Sequence, residues 1–314
     1  MFSGTLFALA AGLMWGLVFV APLMLPQYPA ALLSVGRYLA FGVIALPLAW
    51  LDWARIRQLS RADWLEATKL SLVGNLLYYL LLAAAIQRAG GPLPTMIIGT
   101  LPVVIAISSN LRDAQRDGRL RWRTLAPSLG LIALGIGCVN HSELQQLSPD
   151  ADLGRYALGA LLAVGAVLCW TWYPLRNADW LRAHPDRSPS TWATAQGIAT
   201  LPLAALGALV LAFTGVGAGF PLPFGPTPAQ FIGLMFAIGL LASWLGTLCW
   251  NEASQRLPTT LTGQLIVFET LSALAYAFLL RGQWPAPVTA LGIVLLVAGV
   301  LWALRARPTG AAKP

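Results

Sequence analysis

Two ionisable side chains, Arg37 and Glu269, interrupt stretches that are otherwise apolar. Charge at membrane depth is costly and marks sites of pairing, proton handling or substrate contact. Glu269 could accept a proton, hold an ammonium group or stay a neutral, hydrogen-bonded acid. Arg37 could pair with it, meet polar groups in a cavity, or snorkel to the interface along its apolar stem. Asn75, Tyr78, Tyr79 and Leu82 recur at i, i+3, i+4 and i+7 and so share one helix face. A buried phenol seeks a hydrogen-bond partner, so two adjacent tyrosines favour a wet cavity over lipid. Trp244, Thr247, Leu248 and Asn251 form a second stripe of the same kind, and Gln264 in the ninth apolar segment is a further candidate substrate contact. Trp15, Trp170, Trp172 and Trp244 lie deep in apolar sequence; Trp15 and Trp170 either stack on a solute or pack the core.

Small residues form a third group. Thr95, Gly99, Pro102, Ala106 and Ser109 share a face, as do Thr259, Gly263 and Thr270. Such faces let helices pack closely. Pro102 removes a backbone hydrogen bond and kinks its helix, which suits a hinge or shapes a cavity. Gly99 and Gly263 are the candidate partners of that hinge.

Other chemistries lack their parts. His141 and His184 fall in loops on opposite sides, so they cannot act together. There is no HExxH pair, Walker A loop or acid pair at metal spacing. Neither a cofactor nor a metal is expected, and an intramembrane enzyme is disfavoured. Cys138, Cys169 and Cys249 all lie in apolar sequence, where an odd count suits packing rather than a disulfide framework. One deep cation is too few to hold a phosphorylated substrate. No ring of charges or carbonyl filter suggests a channel.

Long apolar elements must position these residues. The 314-residue chain is 57% apolar and 10% charged, against about 25% charged for soluble proteins. Its mean hydropathy is +0.69. An integral membrane protein follows. Ten segments approach the roughly 20 residues a spanning helix needs: Ser3–Leu25, Ala31–Leu51, Leu65–Ile86, Leu93–Leu111, Leu125–Val139, Tyr156–Leu175, Thr191–Phe213, Ala229–Asn251, Pro258–Leu280 and Val288–Leu304. The first has no basic leader before it and is expected to be a retained helix. Trp50, Trp53, Trp64, Trp122, Trp180, Trp192, Trp284 and Trp302 fall near helix ends, where interfacial anchoring accounts for them.

The net charge of +8 has a topological reading. Sixteen of the 20 basic residues fall in the even-numbered connections and the C-terminal tail: Arg55, Arg57, Arg61, Lys69, Arg112, Arg116, Arg119, Arg121, Arg123, Arg176, Arg182, Arg187, Arg256, Arg305, Arg307 and Lys313. The odd-numbered connections carry only Arg88, Arg155 and Arg281. Basic loops stay cytoplasmic, which places both termini inside and removes any need for a nucleic-acid partner.

The chain also repeats. Gly4–Ala49 matches Gly159–Ala204 at an offset of 155, including Trp15/Trp170, Gly42/Gly197 and Pro47/Pro202. LPTMIIGTLPVVIAISS from Leu93 faces LPTTLTGQLIVFETLSA from Leu257 at an offset of 164. Five helices used twice invert the second copy and place a site near the midplane between the halves. The expected units are residues 1–140 and 155–307, followed by a short tail at 308–314.

The five-plus-five pattern, FALAAGLMWG, LLSVGRYLAFG and GTLPV resemble the EamA-type branch of the drug/metabolite transporter superfamily. Within it the chain is most similar to the YddG-type exporters of aromatic amino acids from Gram-negative bacteria. The resemblance implies an all-α, ten-helix, basket-like bundle with a central cavity, lined mainly by the third, fourth, eighth and ninth helices. Arg37 matches a recurrent arginine of the family. Two positions depart from it: Pro102 faces Ile266 in the repeat, and Gly282-Gln283 replaces a common Gly-Glu. A mechanism relying on that Glu is not carried over. The resemblance further implies a secondary transporter in the bacterial inner membrane, exporting aromatic and other neutral amino acids by alternating access. Another small organic solute or drug is the alternative. The expected partners are that solute and the bilayer, and a monomer is compatible with the sequence.

Overall fold

A computed structural model of the protein describes residues 2–89, 92–112, 122–144, 153–214, 225–282 and 284–304. The basic residues Arg116, Arg119, Arg121, Arg305, Arg307 and Lys313, together with Gln283 and the 308–314 tail, lie outside these residues. Among the described residues there is no β-strand. The helices are α1 (Phe2–Met24), α2 (Ala30–Leu51), α3 (Arg61–Ala89), α4 (Pro92–Ile98), α5 (Leu101–Arg112) and α6 (Trp122–Leu144). They continue with α7 (Leu153–Ala183), α8 (Pro189–Thr214), α9 (Pro228–Arg256), α10 (Thr259–Leu265), α11 (Val267–Arg281) and α12 (Pro287–Leu304). A single helical turn, Trp53–Ile56, precedes α3.

Among the described residues, seven stretches are long and apolar enough to cross a membrane: α1, α2, α3, α7, α8, α9 and the run Leu261–Leu280 from α10 into α11. Shorter apolar stretches lie in α5, α6 and α12. Helix starts follow local chemistry. Ser60 and Asp63 form a reciprocal capping box at α3, with Ser60 N donating to Asp63 Oδ2 at 2.8 Å and Asp63 N to Ser60 Oγ at 3.2 Å. Gly282 ends α11 in the left-handed conformation, with φ at 61°.

Two helices contain a π-helical stretch, Ser71–Leu77 in α3 and Gly239–Leu245 in α9. A π turn takes one residue more than an α turn, so it rotates the faces beyond it. Two expected spans are broken. The fourth divides into α4 and α5 at Gly99 and Thr100, where Thr100 Oγ1 donates to Ile97 O at 2.7 Å. Pro102 is the second residue of α5, where a missing N–H costs little. The ninth divides into α10 and α11 at Ile266.

Helix pairing sets the bundle. α1 packs on α9 and α11, α3 on α7, α2 on α8, α5 on α10 and α6 on α12. Leucines such as Leu6, Leu13, Leu46, Leu161, Leu168 and Leu206 face outward. Lipid is as apolar as leucine, so close packing rather than hydrophobicity must join the helices. At the α1–α11 crossing, Gly12 and Gly16 supply it. A Cβ on Gly16 would lie 2.6 Å from Ser272 Cβ and 2.8 Å from Ala273 N. The motif containing these glycines therefore seats α1 against the break in the ninth span.

The tryptophans divide differently from expectation. Trp50, Trp53, Trp122, Trp284 and Trp302 are exposed, as interfacial anchors are, and Trp64 is half-buried. Trp180 and Trp192 are instead buried and stack on each other, with ring centroids 3.4 Å apart. Their places near helix ends do not put them at lipid, because α7 runs on to Ala183 and packs its last turns inside the protein. Trp172, expected at depth, points outward.

Replacing Gly16 with Leu should force α1 from α11 and cost about 1–3 kcal/mol. Gly130, whose Cβ position has nothing within 4 Å, provides the control. Thermal melting of the detergent-purified protein should fall for Gly16→Leu and not for Gly130→Ala. Equal melting of the two variants would contradict the close crossing.

Candidate functional site

Arg37 is the anchor of the site. α2 carries it inward, and its residue is only 4% exposed. Nε donates to Ser243 Oγ at 3.0 Å. The guanidinium carbon lies 4.7 Å from the Tyr79 ring centroid and 5.0 Å from that of Tyr38. A cation over desolvated aromatic faces gains about 2 kcal/mol. Ser243 reaches it from the π stretch of α9, and its Oγ also donates to Ile238 O five residues back, at 3.4 Å. Arg37 therefore does not snorkel; it is held within the bundle.

Glu269 is the third residue of α11 and is buried. The break at Ile266 creates a helix N-terminus inside the protein, and such a terminus favours a negative charge. Arg37, Trp170 and Tyr78 are its polar neighbours. Glu269 Oε2, Arg37 Nη1, Tyr78 Oη and Trp170 Nε1 are buried and make no hydrogen bond of ordinary geometry among the described residues. Four polar atoms of both charge signs are thus left to a common space.

An aromatic wall borders that space. Trp170 is stacked between Tyr78 and Tyr173, at centroid distances of 4.7 and 4.9 Å. Trp15 meets its edge at 5.0 Å and continues to Trp250 at 5.1 Å. With Tyr78 and Tyr173 stacked on Trp170 and Trp15 at its edge, the atom of Trp170 left to a solute is its unbonded Nε1. The cavity is bordered by Trp15, Arg37, Asn75, Tyr78, Trp170 and Glu269, together with Val18, Tyr38, Ala242, Ser243 and Thr247. Its volume is about 10 Å³, room for a single water.

Three expected site residues do not border this cavity. Tyr79 lies behind Arg37 and holds its guanidinium face. Trp244 is turned away, and its Nε1 donates to Thr194 Oγ1 at 3.0 Å. Gln264 is fully buried in α10, with neither amide atom hydrogen-bonded among the described residues. Gly99 sits at the α4–α5 break with Pro102 just beyond it, and Gly263 sits three residues before Ile266. Tyr38, Ser243, Val18 and Ala242 border the cavity without having been expected there. Tyr38 carried a signal, adjacency to Arg37; a lone serine in the apolar run of α9 carried little.

Comparison with known proteins agrees with this architecture. Residues 2–140 match the EamA-like transporter family. The inner membrane protein YtfF of Escherichia coli (strain K12) is 57% identical over 310 residues, 98% of this chain and 97% of that protein. The chain belongs to the EamA-like transporter family. An uncharacterized transporter of Archaeoglobus fulgidus is similar at 23% identity over 262 residues, 82% of this chain and 83% of that one. One crystal structure superposes with a TM-score of 0.71, covering 96% of this chain and 97% of its own, at 18% identity, a likeness of fold alone.

In this EamA-like transporter a second polar layer lies beside the cavity. Asn177 is its hub. Its Oδ1 accepts from Trp192 Nε1 at 2.9 Å and Gln196 Nε2 at 3.1 Å, and its Nδ2 donates to Asn251 Oδ1 at 2.8 Å. Gln196 Oε1 accepts from Tyr173 Oη at 2.9 Å, which ties the hub to the aromatic wall. Towards the arginine-rich end, Trp180 Nε1 donates to Asp63 Oδ1 at 3.0 Å, and Arg176 holds Glu66 through Nε at 2.5 Å and Nη2 at 3.1 Å. These bonds join α3 to α7 on that side, where the same residues border a pocket of about 350 Å³.

Replacing Asn177 with Leu removes three hydrogen bonds at about 0.6 kcal/mol each, roughly 2 kcal/mol in all. Thermal melting should fall accordingly. No change in melting would mean that the hub does not hold α7, α8 and α9 together.

Proposed function

We propose that this EamA-family protein is a secondary transporter that exports aromatic and other neutral amino acids by alternating access. The observation that carries the reading is the sharing of one small cavity by Arg37 and Glu269, beside the Trp15–Trp170–Tyr78 wall. Opposite charges that each keep one atom, Arg37 Nη1 and Glu269 Oε2, without a hydrogen bond among the described residues suit a zwitterion. Arg37 Nη1 would take the carboxylate, Glu269 Oε2 the ammonium, and the rings of Trp15 and Tyr78 an apolar side chain. A substrate of that kind brings both counter-charges at once, so neither protein charge is left bare in the membrane.

The architecture in this proposal is ten spans built as two inverted five-helix repeats, 1–140 and 155–307. Two features support it. The π stretches begin at Ser71 and Gly239, 168 residues apart, and the breaks near Gly99 and Ile266 occupy corresponding spans. Pairing of α2 with α8, α5 with α10 and α6 with α12 has the self-matched pattern of a two-fold relation. The basic loops put both termini in the cytoplasm. Export as the direction is carried over from the resemblance to YddG-type exporters.

A cavity of about 10 Å³ cannot hold an amino acid, so the halves must part for loading. Gly99, Pro102 and Gly263, at or near the broken helices, are the natural hinges, since a break has already given up continuous backbone hydrogen bonds.

Proteoliposomes containing the full chain should take up labelled Phe or Trp saturably. Arg37→Gln and Glu269→Gln should each lower kcat/KM by more than about tenfold, the loss expected of a desolvated charge contact. Tyr78→Ala should weaken transport without loss of folded protein. Absence of saturable uptake of any amino acid would overturn the substrate class.

A further inference from the structure

Both ends of the bundle carry the same small device. At one end the turn between α1 and α2 is pinned by a glutamine from the end of α3. Gln87 Nε2 donates to Tyr28 O at 2.6 Å, and Ala30 N donates to Gln87 Oε1 at 3.0 Å. The Tyr28 side chain then crosses to the start of α9. Its ring stacks on Phe231, with centroids 4.7 Å apart and planes at 6°. Thr227 N donates to its Oη at 2.9 Å.

At the other end the turn between α7 and α8 is pinned by a glutamine from the end of α9. Gln255 Nε2 donates to Arg187 O at 3.3 Å. The Arg187 side chain crosses to the residues just before α3. Nη1 donates to Gln58 Oε1 and Nη2 to Gln58 O, each at 3.2 Å. The turns also close alike: Tyr28 N donates to Leu25 O and Arg187 N to His184 O, each at 3.0 Å.

The two devices therefore correspond in position and in their main bonds, with Gln87 also accepting from Ala30 N. Tyr28 and Arg187 are 159 residues apart, and Gln87 and Gln255 are 168 apart, the same spacing as the π stretches. Gln58 precedes α3 and Gln87 lies near its end. The 29 residues of α3 put the devices about 40 Å apart, on opposite sides of the cavity. In each, the crossing side chain leaves the first turn of one repeat and grips the segment before the third span of the other.

We propose that Tyr28 and Arg187 are a matched pair of gate clamps, released one at a time. Tyr28 parts from Thr227 and Phe231 when the cavity opens at the Gln87 end. Arg187 parts from Gln58 when it opens at the arginine-rich end. The proposal rests on the two-repeat, alternating-access reading above. The clamps differ in chemistry. Tyr28 is fully buried and grips by ring stacking, whereas the contacts of Arg187 are exposed. Contacts of the second kind are weak singly and screened by salt. Arg187 is also assisted by the Glu66–Arg176 pair, so its loss should loosen that end without opening it fully.

Accessibility of the cavity provides the test. In a full chain with Cys138, Cys169 and Cys249 replaced by Ala, a Val18→Cys reporter places a thiol on the cavity wall. A membrane-impermeant maleimide is applied to right-side-out and inside-out vesicles. Arg187→Ala should raise the labelling rate from the face of the arginine-rich loops by about threefold, the change produced by losing one partly exposed charged contact. Labelling from the opposite face should not rise. Tyr28→Ala should do the converse, and Tyr28→Phe, which keeps the ring stack, should have a smaller effect. Unchanged labelling in both alanine variants, or an equal rise at both faces, would overturn the clamps. The labelling needs no solute. A chain that shows this face-specific response but takes up no amino acid would lose only its substrate assignment. A chain that transports but shows no such response would lose only its clamps.

Discussion

A bare guanidinium is not tolerated inside hydrocarbon, and the centre of this protein is arranged around that constraint. Arg37 draws a hydroxyl from α9, one ring from α2 and another from α3. Glu269 enters from α11 as its nearest opposite charge. Helices α2, α3, α9 and α11 are therefore committed to one buried cation. The π stretch of α9 includes Ser243, and beyond it Thr247 also borders the cavity while Trp244 turns to Thr194. The break at Ile266 serves the acid by supplying a helix N-terminus at the depth where a carboxylate must sit.

What surrounds this pair is rigid on one side and divisible on the other. The stack of Tyr78, Trp170 and Tyr173 is anchored through Gln196 and Asn177 into three helices. It forms a wall of the cavity. The broken helices meet through α5 and α10, while α4 packs on α7 and α11 on α1. Their interrupted backbones make them the elements best able to move. The cavity has room for a single water, so under the proposed transport the halves must part for a solute to enter.

The sequence carried the coarse design well. Apolar runs marked the helices to within a few residues at α1, α2 and α8, because a lipid-facing helix must be apolar over its whole length. Arg37, Asn75, Tyr78, Trp15, Trp170 and Glu269 were legible as polar or aromatic groups at depth, and all six border the cavity. The misplacements have physical causes. Tyr79, one residue past Tyr78 and so about 100° round the helix, meets the Arg37 guanidinium instead of the cavity, and Trp244, inside the π stretch of α9, turns to Thr194. Trp192 was read as an interfacial anchor from its place near a helix start, but the long α7 folds its last turns over it. The role of Tyr28 could not be read at all, since its partners Thr227 and Phe231 are about 200 residues away.

The account stands on a zwitterion being held by one cation and one acid. Calorimetric titration of the purified full-length protein with tryptophan, tryptamine and 3-indolepropionate tests this most directly. Tryptophan should bind, and each analogue, lacking one of the two charges, should bind at least about tenfold more weakly, as expected when a buried charge is left without its partner. Equal affinity for tryptophan and tryptamine would contradict the account, because Arg37 would then hold no carboxylate.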